Sequence, residues 1–209
     1  MKPIALLKAA AFAAAAIPAA ALAYRFYRFF YSQDIGALPA NPGDYITDQT
    51  GTWALALLVI TLTVTPLRRL TNWNELIKLR RMLGLFSFFY ATLHMLTWVV
   101  FVNFFDVTAM IADVVKRPYI TVGMATFLIL LSLAVTSNRF AQRRLGRRWQ
   151  TLHRLVYVAA IGAVIHFWWQ VKADTTLPLR WAVAVALLLG FRVWWAWRSK
   201  TPAARPRPG

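Results

Sequence analysis

The chain has 209 residues, of which 59% are hydrophobic and only 15% charged, with a mean hydropathy of +0.51 and a formal net charge of +17. Soluble domains carry about 25% charged residues, so this is the composition of a membrane protein. The absence of cysteine excludes thiolate-bound iron–sulfur clusters, haem attached through C-x-x-C-H, and disulfides. Nucleic acid is not an expected partner, because the arginines sit in short loops between apolar runs rather than on one stripe.

A helix needs about 20 mostly apolar residues to cross a bilayer, and six stretches qualify. The first is 3–23. Lys2, Lys8, an alanine-rich centre and Ala21-Leu22-Ala23 resemble a cleavable signal segment. The aromatic, Arg-bearing run Tyr24 to Tyr31 instead suits an interfacial anchor, and the span is expected to be retained. The second span is 51–67, with Pro66 at its exit, where a lost helical hydrogen bond matters little. The third is 82–101. The fourth, 119–135, follows Pro118 at a first helical turn. The fifth is 150–169, within the stretch Trp149 to Gln170, and the sixth is 177–197, ending in Trp194, Trp195 and Trp197. The remainder, 198–209, reads as a disordered basic tail. No repeat, linker or second domain is evident. The expected architecture is a single all-α six-helix transmembrane bundle, residues 1–209.

Charge sets the expected orientation. Lys2, Lys8, the loop from Arg68 to Arg81, the loop from Arg139 to Arg148 and the tail from Arg198 to Arg207 fall on one side. The other side keeps few cations and every acid except Glu75. The positive-inside rule then places both termini in the cytoplasm. The basic loops could also meet anionic lipid.

The chain has three histidines, His94, His153 and His166, all in or beside apolar spans. Ionisable groups are expensive there and mark function, and imidazole is a standard axial ligand of haem iron. His94 lies 13 residues beyond Arg81, about 20 Å of helical rise. His166 lies 17 residues beyond Trp149, about 25 Å, and His153 only four, about 6 Å. His94 and His166 therefore share a depth in the outer half of the bilayer and are the expected axial pair. The competing reading is a pair of histidines hydrogen-bonded between helices. His153 stays near the cytoplasmic face, as a ligand of a second site, a cofactor contact or a plain interfacial histidine. His153 and His166 would point roughly 140° apart on a straight helix. They line one channel only if the helix bends, and Gly162 is a candidate place. Phe104, Phe105, Trp98, Phe167, Trp168 and Trp169 read as an outer aromatic belt rather than an electron relay.

The strings RRMLGLFSFFYATLHMLTW, KRPYITVGM and RRLGRRWQTLHRLVYVAAIGAVIHFWW closely resemble the MsrQ family. These are haem-binding membrane subunits of the bacterial periplasmic methionine-sulfoxide reductase system, grouped with ferric-reductase-like transmembrane domains. The resemblance covers about Pro42 to Trp197. It implies haem b, an FMN, the bacterial inner membrane, and delivery of electrons to a periplasmic molybdenum-cofactor catalytic subunit of the MsrP kind. No flavin or nicotinamide domain is expected in this chain, so the expected donor is either the quinone pool or a cytoplasmic flavin reductase. His94, His153 and His166 match the family's histidine positions. The wider superfamily has a second histidine on the third helix, and here that place falls on Arg80 or Arg81, leaving His153 without its expected partner. The expected function is that of an electron-transfer subunit without its own catalytic site, serving repair of oxidised periplasmic proteins. A stand-alone transmembrane ferric or oxygen reductase is the alternative, and a histidine-relay transporter is disfavoured because no Asp or Glu lies in any expected span.

Overall fold

The computed structural model describes residues 3–171 and 173–198, and these are helical with short connections and no strand. The basic tail beyond Arg198, and the loop residue Lys172, lie outside the described residues. The α-helices in chain order are α1 (Pro3–Tyr31), α2 (Pro42–Thr71), α3 (Arg80–Thr97), α4 (Val107–Lys116), α5 (Pro118–Val135), α6 (Arg139–Leu145), α7 (Arg147–His153), α8 (Leu155–Gln170) and α9 (Thr176–Arg198). Six helical stretches among the described residues are long and apolar enough to cross a membrane.

Several bounds differ from the expectation, each for a local reason. The aromatic run up to Tyr31 continues α1 without a break, so an interfacial anchor and its span are one helix of 29 residues. Helix α2 starts nine residues earlier than expected. Asn41 accepts from the Asp44 backbone N–H and Pro42 occupies the first turn, where its missing N–H costs nothing. Asp44 and Asp48 consequently lie inside α2, which corrects the expectation of helices free of acids. Helix α3 is extended by a π-helical turn, Trp98–Val102, and then stops at Phe104 and Phe105, both at positive φ. The loops carry short helices that periodicity alone did not show, notably α4, capped by Asp106 on the Ala109 N–H.

Helix α2 forms the centre of the bundle. Half of its apolar window is buried, against 6% for α1. One side of α2 (Leu55, Leu58, Leu62) packs with Leu130 of α5, Ala159 and Ala160 of α8 and Val185 of α9. The other side (Leu57, Val64) packs with Leu83 and Tyr90 of α3 and Ala15 of α1. Ala159 and Ala160 are wholly buried, and side chains that small allow helix backbones to approach closely.

Two prolines inside helices are met by side chains from other helices. In α1, Pro18 interrupts the ladder, and the Tyr90 hydroxyl accepts from the Ala19 N–H at 2.9 Å while donating to the Ala15 carbonyl at 2.8 Å. The hydroxyl thus stands between a donor and an acceptor that an unbroken helix would join directly. In α2, Pro66 has no N–H to offer Leu62, four residues back. The Arg192 guanidinium on α9 donates to that carbonyl instead, donates again to Leu188 O at 3.1 Å, and lies 5.3 Å from the centre of the Tyr157 ring. The expectation that Pro66 falls harmlessly at the helix exit is therefore corrected. Pro66 is buried, α2 runs on to Thr71, and the lost bond is replaced across the bundle.

A candidate imidazole pair

His94 projects from the last turn of α3 and His166 from α8, four residues before its end. Their ring centroids are 6.0 Å apart and their planes meet at 79°. The helical rise per residue puts the two at one depth, and the structure brings their rings together edge to face. His94 Nδ1 donates to the Thr47 carbonyl at 3.0 Å, and His166 Nδ1 donates to the Tyr119 carbonyl at 2.7 Å. A carbonyl can only accept, so both protons sit on Nδ1 and both Nε2 lone pairs are left for a metal.

The interhelical bonding entertained as the competing reading is thus real, but it occupies only one nitrogen of each ring. That division is the usual one for a metal-bound histidine, whose second nitrogen is oriented by a carbonyl. Imidazole–metal bonds of about 2 Å, plus roughly 1 Å from each nitrogen to its ring centre, put the centroids of two opposed axial imidazoles about 6 Å apart. The observed separation agrees. Among the described residues no group of three or more His, Cys, Asp or Glu could hold a metal ion. Two imidazoles do not fill a metal's coordination shell, whereas a porphyrin brings four nitrogens of its own. The donor set therefore fits a haem.

His153 is held differently. It ends α7, stacks on Trp149 at 4.0 Å and 27°, and its Nε2 lies 3.1 Å from Thr136 Oγ1. That hydroxyl already donates to Ser132 O at 2.7 Å, so the histidine Nε2–H is the donor to Thr136. Trp149 Nε1 donates to the Thr136 carbonyl at 2.9 Å, which ties the same α5 terminus to α7. Arg80 lies close enough to act on His153 electrostatically, and no imidazole stands on α3 at this level. The break that separates His153 from the His166 helix falls at Arg154. Gly162 lies inside unbroken α8, where a side chain would strike Thr126.

Sequence reasoning missed two glycines. A Cβ on Gly51 would come within 3.0 Å of the His94 ring, and one on Gly123 within 2.7 Å of the His166 ring. The same shift of 72 residues carries Thr47 to Tyr119, Gly51 to Gly123 and His94 to His166, so each histidine stands 47 residues from its carbonyl partner. The pairs α2/α3 and α5/α8 are built alike at this point, although the two strings, TDQTG and YITVG, share only one residue in register. Applying the histidine spacing to the glycines would have exposed the repeat. Of the aromatic belt, Phe104 and Phe105 are the most exposed, at 78% and 67%.

Residues 50–164 match the family described as Ferric reductase like transmembrane component, an interval that holds all of α3 and most of α8. The chain is 49% identical over 199 residues, 94% of its length and 88% of the relative's, to a protein of Herminiimonas arsenicoxydans. It is 51% identical to one of Ralstonia nicotianae (79% and 77% covered) and 45% identical to one of Xanthomonas axonopodis pv. citri (93% of each). Each of these is named as the heme-binding subunit MsrQ of protein-methionine-sulfoxide reductase. Identity of this extent over nearly the whole chain, together with the family match, is decisive: the chain belongs to the MsrQ family of heme-binding subunits, with a ferric-reductase-like transmembrane fold.

Proposed function

We propose that this protein is the membrane electron-transfer subunit of a periplasmic methionine-sulfoxide reductase, carrying one haem b between His94 and His166. The observation that carries the reading is the opposed imidazole pair, 6.0 Å between centroids with each Nδ1 on a backbone carbonyl. Haem would supply one-electron oxidation and reduction at that point. The chain's own residues orient the two Nε2 atoms, surround the site with apolar helix faces, and bring it toward the end of the bundle where α3 and α8 finish.

Arg68 and Arg69 at the end of α2, Lys78 just before α3, Arg80 and Arg81 at its start, and the arginines of the short helices α6 and α7 support a cytoplasmic assignment for that side. Both termini are then cytoplasmic, in the bacterial inner membrane, and the His94–His166 level lies in the periplasmic half. Electrons arrive from the quinone pool or a cytoplasmic flavin reductase and leave to a periplasmic molybdenum-cofactor subunit of the MsrP kind, for repair of oxidised periplasmic proteins. His153 acts as a cofactor contact rather than an iron ligand, since its Nε2–H is engaged by Thr136. Its ring, stacked Trp149 and nearby Arg80 suit an FMN, which has a flat ring system and a phosphate.

Stopped-flow reoxidation tests the reading. The reduced, haem-loaded protein should be stable with methionine sulfoxide alone and reoxidise when the molybdenum-cofactor subunit is added. Equal rates with and without that subunit would favour a stand-alone reductase instead.

A further inference from the structure

We infer that Gly51 and Gly123 are positioning residues for the two axial imidazoles, setting the plane and reach of each Nε2. This rests on the haem reading above. Each histidine lies against a turn of the facing helix, α2 for His94 and α5 for His166. In each turn the carbonyl that receives Nδ1–H belongs to residue i, Thr47 or Tyr119, and the glycine is residue i+4. The ring reaches its carbonyl only by passing over the place where the next side chain on that face would stand.

The distances show how tight this passage is. At Gly51 a Cβ would meet both Cε1 and Nδ1 of His94 at 3.0 Å, and at Gly123 it would meet Nδ1 and Cε1 of His166 at 2.7 and 2.8 Å. An imidazole is rigid and its Cβ is fixed in a packed helix. A methyl group at either position must therefore turn the ring or lift Nδ1 off its carbonyl. Either movement displaces Nε2 on the far side of the ring and weakens the bond that makes it a basic, single-tautomer ligand. The contrast within the chain is sharp. Gly190, on α9, has nothing within 4 Å of where a Cβ would stand, and a Cβ on Gly84 would meet only a Thr61 methyl at 3.7 Å. Among the described residues four glycines are this tightly faced, Gly51 and Gly123 by the histidines, Gly162 by Thr126 and Gly43 by Phe101.

The experiment compares the full-length detergent-solubilised protein with Gly51→Ala, Gly123→Ala and the control Gly190→Ala. Haem content, low-spin EPR spectrum and midpoint potential are measured, with size-exclusion chromatography reporting the fold. Disturbing the support of a metal ligand typically weakens binding about 10–100-fold, and Gly123→Ala should fall in that range. Gly51→Ala, with the looser contact, should retain haem but shift the EPR signal and the potential. Gly190→Ala should match the parent in all three. If Gly123→Ala does not fold, Gly51→Ala decides. Haem content, EPR and potential unchanged in the glycine variants that fold would overturn the inference, and so would equal haem loss in all three variants. A parent protein without low-spin haem would instead sink the functional reading and is recognised before any variant is compared.

Discussion

Replacing Arg192 with Met should expose how the central helix tolerates its proline. Arg192 donates to the Leu62 carbonyl that Pro66 leaves without an N–H, and to Leu188 O, with Tyr157 beneath the guanidinium. A hydrogen bond from a charged donor contributes about 1.5–3 kcal/mol and a partly desolvated cation–π contact about 0.5–2 kcal/mol. Against these stands the cost of keeping a cation half-buried, which Met removes. A net loss of about 1–3 kcal/mol is expected from the hydrogen-bond side of that balance. The decisive measurement is a double-mutant cycle with Pro66→Ala, which gives Leu62 a helical donor again. In that background Arg192→Met should cost less by about 1–2 kcal/mol, since neighbours sharing a partner are not additive. Reversible unfolding in mixed detergent micelles, followed by far-UV circular dichroism, provides all four stabilities. Equal cost of Arg192→Met in both backgrounds would show that the guanidinium does not replace the missing helical bond.

Two further outcomes are expected. His94→Ala or His166→Ala should each abolish the low-spin haem spectrum, while His153→Ala should leave that spectrum in place; absorption and EPR spectra of the three purified variants check this. Tyr90→Phe removes the hydroxyl between Ala15 O and Ala19 N–H, one buried and one partly buried bond worth about 1 kcal/mol each. It should loosen α1 against α3 by that order, read as faster labelling of a cysteine placed at Ala11 in this otherwise cysteine-free chain.

Composition and apolar run length determined the class of this protein and the six spanning helices. A bilayer satisfies no backbone polar group, so a long apolar stretch has little choice but helix. The histidine depths were legible for the same reason, because a fixed rise per residue converts sequence number to height. Azimuth was not legible. Which face of α2 meets His94, and which face of α5 meets His166, depends on how helices pack, and the apolar spans are too uniform to show one face over another. Gly51 and Gly123 therefore looked like ordinary span residues until their neighbours were known. The partners of Pro18 and Pro66 were hidden too, since Tyr90 and Arg192 come from other helices, 71 and 130 residues from the backbone groups they serve. The helix breaks at Arg154 and not at Gly162, whose missing side chain leaves room for Thr126, a contact that only the tertiary structure makes.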